Sequence, residues 1–245
     1  MSHWRLRSVW WTLGLGVVMV VVLGLGGPPQ AAAQNPCEGF TGACRGQCEA
    51  ALDQGCFENP DTSQCGKREE KWEFFACPGT PPWAPQVKRV FVTSTHYTGN
   101  LDGLAGADAK CQERADAAGL SGTFKAWLST AGPGNSAAER LTQATGPYVR
   151  VDGVQVARDF SDLVDGSIAA PIPLNEFGVA SGQLGAWTGT MATGEASGFN
   201  CNGWTSAAQA DVGDFGNQLA TDTTWTILPM PLSCDLFRKL YCIEQ

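Results

Sequence analysis

Two acidic runs space oxygen-bearing side chains three residues apart: Asp211-Val-Gly-Asp214-Phe-Gly-Asn217 and Asp159-Phe-Ser-Asp162-Leu-Val-Asp165. Calcium accepts several oxygens in a flexible shell, so the first run, with its glycines, is a candidate calcium loop. If it binds, calcium raises the melting temperature over chelator. The competing and favoured reading is solvated turn residues whose side chains bond their own backbone. No other cofactor is expected. His96 and His3 are the only histidines, and His96 stands in an exposed Thr/Tyr/Gly turn. With His3 in the leader described below, no site needing two histidines can form. No Gly-x-Ser-x-Gly elbow is present either. The sequence therefore offers no catalytic residues, and no enzyme is expected.

Ten cysteines remain: Cys37, Cys44, Cys48, Cys56, Cys65, Cys77, Cys111, Cys201, Cys234 and Cys242. Arg5 and Arg7, the uncharged run from Val9 to Gly27 and the small residues Ala31 to Ala33 read as a signal peptide over residues 1–33. An uncleaved anchor is the alternative, because a run of this length approaches the ~20 residues that span a bilayer. Export, to the cell surface, periplasm or medium, makes an even cysteine count a disulfide set. Zinc is disfavoured, since the cysteine-rich segment lacks histidine and Cys-x-x-Cys spacing. Without the leader the chain carries 14 basic and 24 acidic side chains, a formal charge of −10. Such a surface repels nucleic acid and other polyanions. A membrane is a partner only if the leader stays as an anchor.

These residues must be positioned by two units. Residues 34–77 form a cysteine-rich cap, too short to bury much of a core unaided. "CRGQCEAALDQGC" predicts a helix with Cys44, Cys48 and Leu52 on one face. "TSQCGKREEKWEFFAC" predicts a second, with Trp72, Phe75 and Ala76 inward. Six cysteines allow fifteen pairings, and the sequence does not choose among them. Residues 78–88 are a linker, kept extended by Pro78, Pro81, Pro82 and Pro85.

Residues 89–245 form one domain of α+β class. "RVFVTS" is a strand with Val90 and Val92 on one face. A helix from about Ala105 to Ala118 carries Leu104, Ala107, Cys111, Ala115 and Ala118 along one stripe, so Cys111 faces inward. Asp108 suits its positive N-terminal end and Gly119 its stop. "TFKAWLS" is a strand buried on both faces near Trp127, Ser136-Ala-Ala-Glu139 matches a capping box, and "YVRVDGVQVA" is a hairpin around a two-residue Asp152-Gly153 turn. "AWTGT", "FNCNGWTSA", "TTWTIL" and "KLYCIEQ" supply short strands within a loop-rich remainder. Of the tryptophans after the leader, Trp127, Trp187 and Trp204 suit the core. Trp83 and Trp225 are expected to be partly exposed, as contact anchors or against the cap.

"GLAGADAKCQERADAAGLSGTFKAWLS", "AWTGT", "NCNGWTS" and "SCDLFRKLYCIEQ" resemble, in order, segments of the endostatin domain that ends certain collagens. Closer still is a bacterial family of exported endostatin-like domains of unknown function. The resemblance covers roughly residues 88–245. It implies a C-type-lectin-like fold with nested bridges, Cys111 to Cys242 and Cys201 to Cys234. Endostatin's heparin-binding arginines and zinc-binding histidines have no counterparts here. The Glu-Pro-Asn and Trp-Asn-Asp tripeptides of calcium-dependent lectins are also missing from this domain; Glu58-Asn59-Pro60-Asp61 in the cap has only a scrambled order.

The expected function is a non-catalytic, secreted or surface-exposed binding module. Its ligand would be an extracellular protein, met by the loop-rich face between Val154 and Trp225, with Asp211, Asp214, Asn217 and Trp225 as contact residues. Relatives with this domain include surface proteins that contact host matrix or complement components. The alternatives are a secreted hydrolase of envelope polymers and a structural envelope component.

Overall fold

The computed structural model describes residues 35–57, 63–77 and 84–245. The leader, Glu58 to Asp61, Trp83 and most of the proline linker lie outside the described residues. Among those described, no helix is long and apolar enough to cross a membrane.

The cap consists of α1 (Gly42–Asp53) and α2 (Ser63–Phe74). Its bridges join Cys37 to Cys48, Cys44 to Cys77 and Cys56 to Cys65. The buried core is Cys37, Cys48, Cys56 and Cys65 with Ala51 and Trp72, and the half-buried Cys44–Cys77 bridge packs against it. Phe40 meets Trp72 edge-on with ring centroids 4.9 Å apart. Leu52 and Phe75 are exposed, as is Ala76, contrary to the helical-face expectation. Three bridges occupy the narrow interior, so each helix buries only the residues that point straight at its partner.

In the following domain β1 (Lys88–Val92) precedes α3 (Gly103–Ala117), then β2 (Phe124–Ala126), α4 (Ala137–Arg140), β3 (Tyr148–Arg150), β4 (Gln155–Ala157) and α5 (Phe160–Leu163). After these come β5 (Ala186–Trp187), α6 (Cys201–Trp204), β6 (Val212–Gly213), β7 (Phe215–Gly216), a 3-10 turn at Thr223–Trp225, β8 (Leu232–Ser233) and β9 (Lys239–Glu244). The class is α+β, with a curled seven-stranded sheet built around β9. That strand pairs antiparallel with β1 on one side, and with β2 (antiparallel) and β5 (parallel) on the other. The first and last strands thus lie side by side, Phe91 opposite Cys242.

Alternation along these strands separates two cores. Val90, Val92, Tyr241 and Ile243 pack with Trp127, Tyr148, Phe160 and Trp225. Phe91, Leu240 and Cys242 pack with α3 through Ala107, Cys111 and Ala115, and with Trp187 and Trp204. Cys111 is bonded to Cys242, and Cys201 to Cys234. All ten cysteines are paired.

Four local expectations change. Helix α3 starts at Gly103, so Asp108 lies beyond its first turn. The Asp108 carboxylate instead accepts the Ala126 N–H at 3.0 Å and, through its two oxygens, Arg140 Nη2 at 2.6 and 2.7 Å. The Asp152-Gly153 hairpin closes through a three-residue loop, with Arg150 N–H donating to Val154 O at 2.8 Å and Gly153 at φ +84°. Gly153 thus fills the left-handed position of a longer turn. "FNCNGWTSA" is no strand: Cys201, Asn202 and Trp204 have φ of +48°, +54° and +64°, and Asn200 Oδ1 accepts the Gly203 N–H at 2.9 Å. "TTWTIL" begins as a 3-10 turn capped by Asp222. By contrast, the capping box at Ser136 and Glu139 is formed as its spacing predicts.

The inner bridge is packed against backbone. Gly99 donates to Cys234 O at 2.7 Å, and a Cβ on Gly99 would stand 2.8 Å from the Cβ atoms of both Cys201 and Cys234 and collide with Cys201 Sγ. Gly99→Ala is therefore expected to cost about 1–3 kcal/mol, read as a lower denaturant midpoint with unchanged slope. A midpoint equal to wild type would show that this contact relaxes freely.

Candidate functional site

On the loop-rich side lies an open groove of about 570 Å³. One wall is the segment around Met191 and Ser197 to Phe199, and the other is Thr223, Thr224 and the apolar run Ile227 to Pro231. Asp214 lines it between them, placed at the junction of β6 and β7.

The backbone holds Asp214 firmly. Its carbonyl accepts from Thr188 and Gly189 at 3.1 and 3.2 Å, and its N–H donates to Phe199 O at 2.9 Å. The neighbouring Gly213 carries no side chain because a Cβ would crowd Cys201 Sγ, 2.6 Å away, and the rings of Trp187 and Trp204. The far wall is tied down by Leu228 N–H donating to Phe215 O at 2.9 Å. Behind it stands Trp225, 1 % exposed, between Trp127 and Tyr241, whose hydroxyl donates to Trp225 O at 2.9 Å. Trp225 is therefore no contact residue: it is the buried anchor from which the wall hangs.

Asp214 is 4 % exposed and makes no ion pair among the described residues. Burial pushes its carboxyl up from the ordinary value, against the opposing pull of Ser197 and the Phe199 amide. A carboxyl with a raised native pKa binds more protons folded than unfolded. The stability it contributes is present at acid pH and lost as pH rises through the native value. Asp214→Asn is accordingly expected to raise the melting temperature at pH 7 by a few degrees. The gain should shrink as pH falls to about 4, where the unfolded carboxyl also protonates. A lower melting temperature for Asp214→Asn at pH 7 would contradict this.

The other expected contact residues are not gathered with Asp214. Asn217 Oδ1 accepts the Leu219 N–H at 3.0 Å, an Asx turn, and Asp211 bonds through its backbone to Ala208 and Cys234. In the second acidic run Asp159 accepts from the Asp162 N–H, Asp162 holds Arg158 at 2.7 Å, and Asp165 accepts from Ser167. Among the described residues no three His, Cys, Asp or Glu side chains are grouped to hold a metal. His96 is exposed, its pKa lowered by partial burial and by Lys239.

One polar cluster has no signal in the sequence. Lys239, 2 % exposed, donates to Thr93 O at 3.3 Å and to Ser181 Oγ, and burial lowers its pKa while Glu176 opposes that. Glu176, equally buried, accepts from Ser94 N–H at 2.9 Å and from Ser94 Oγ. These bonds fasten the loop after Leu174 to the ends of β1 and β9. Neither residue stands in a recognisable motif, and they are far apart in sequence.

Residues 94–221 match the model of a family described as protein of unknown function (DUF1554). The chain belongs to that family. No curated protein matches. The DUF1554 segment includes Cys111, Cys201 and Asp214, while their partners Cys242 and Cys234 and the Ile227 to Pro231 wall follow it. Each bridge thus ties the DUF1554 segment to the C-terminal residues that complete both sheet and groove.

Proposed function

We propose that this chain is an exported, non-catalytic binding module of C-type-lectin-like, endostatin-like organisation that meets an extracellular protein through its loop-rich face. The observation that carries the reading is the groove at Asp214. It is an apolar trough on a face with few regular elements, whose floor is held by the Cys201–Cys234 bridge and whose wall is held by Trp225. Rigid loops on a disulfide-clasped scaffold bind with little ordering cost. The pairing of first and last strands and the nesting of one bridge inside the other support the lectin-like organisation. Five disulfides with no free thiol suit an oxidising, exported location.

The test titrates the oxidised chain against immobilised extracellular-matrix and complement proteins, beside Phe199→Ala, whose parent side chain is half exposed on the groove rim. Saturable binding weakened by the variant supports the reading. Turnover of an envelope polymer, or binding to none of the panel, removes it.

A further inference from the structure

Asp214 raises a question that the scaffold does not answer. A carboxylate removed from water is costly unless paired. Asp214 has only the neutral Ser197 hydroxyl and Phe199 amide to favour its charge, and none of the residues lining this groove is basic. Three backbone hydrogen bonds fix the position of its main chain at the groove. The groove above is open, and its rim exposes Met191 and Phe199, with Met230 beside Pro229 and Pro231 exposed at 70 %. The whole chain is acidic, −8 overall.

We propose that the groove takes a lysine or arginine side chain of a protein partner, flanked by apolar residues, with Asp214 as the anchor for the cation. Lysine and arginine carry an apolar stem below the charged head. The stem suits the trough between Phe199 and Leu228, and the head reaches the carboxylate. A segment of two or three side chains fits the volume, which is of the size that ligand sites occupy. Free Asp214 bears a desolvation cost that an incoming cation relieves, so recognition draws on strain already present in the free protein. Where Asp214 is partly protonated, binding expels its proton, and affinity falls on acidification.

This inference rests on the module reading above, and the experiment separates the two. Backbone amide shifts of the full oxidised chain are followed while adding acetyl-Phe-Lys-Leu-amide or its neutral counterpart acetyl-Phe-norleucine-Leu-amide. The lysine peptide is expected to shift Phe199, Asp214 and Leu228 saturably, and to bind about tenfold more tightly than the norleucine peptide. Asp214→Asn should bring the two peptides level. In wild type, the carboxyl-carbon titration of Asp214 should move to lower pH with the lysine peptide alone, a readout that needs no variant. Equal affinity of both peptides, or undiminished lysine-peptide binding by Asp214→Asn, overturns the cation anchor while leaving the groove a binding face. No saturable shift at the groove with either peptide overturns it too, and binding of panel proteins elsewhere would then still support the module.

Discussion

Replacing Cys111 and Cys242 together by alanine is expected to lower the melting temperature by on the order of 10–20 °C. The bridge closes 131 residues of sequence, and in the chain-entropy account such a loop restricts the unfolded ensemble by about 5 kcal/mol. The inner bridge spans 33 residues, which would give about 4 kcal/mol alone and less inside the outer loop. Both outer sulfurs are fully buried, between α3 and β9, so alanine also leaves a small void. Calorimetry of the double variant decides the matter. A drop of under about 3 °C would mean that the β1–β9 pairing holds the domain shut without covalent help.

Trp225→Ala should be nearly as severe. The indole is 1 % exposed, 5.2 Å from the Trp127 ring and 5.7 Å from that of Tyr241. Deleting it leaves a cavity in the larger core at a cost of about 3–5 kcal/mol. It also removes the ring packing that anchors the segment forming the groove wall, while leaving the backbone acceptor Trp225 O for Tyr241 and the Thr226 hydroxyl that accepts the Trp127 indole N–H at 2.8 Å. Denaturant unfolding should show the lost stability, and the amide shifts of Ile227 and Leu228 should move most. An exposed contact tryptophan would instead leave stability within about 0.5 kcal/mol of wild type.

Much of the scaffold is legible in short stretches because its causes are local. Val90 and Val92 alternate with Phe91 and land in different cores, as the period of a strand requires. Ala107, Cys111 and Ala115 fall on one helical stripe and are all buried. Ser136 and Glu139 cap a helix through bonds that span three residues.

Where the cause is distant, local reading fails. "TTWTIL" has β-branched and aromatic content fit for a strand, but Asp222 caps a turn there and Trp225 is drawn inward by Trp127 and Tyr241. Around Cys201 the positive φ angles go with a backbone bent to meet Cys234, and propensity cannot report a bend imposed from outside. Of the four residues expected to contact a ligand, only Asp214 faces the groove. The spacing of Asp211, Asp214 and Asn217 is one that a flexible calcium shell could accept, but the strand pairings of β6 and β7 turn their side chains to separate tasks.

By itself the sequence determined the class of the domain, the inward face of its main helix, and an even cysteine set with a counterpart for each thiol. Those follow from periodicity, chain composition and redox chemistry, which act along the chain. Only the tertiary structure decided the three pairings in the cap, the buried Lys239 and Glu176, and the isolation of one carboxylate in an apolar trough. Each depends on which distant segments exclude water from which atoms, and burial is a property of the folded neighbourhood rather than of residue order.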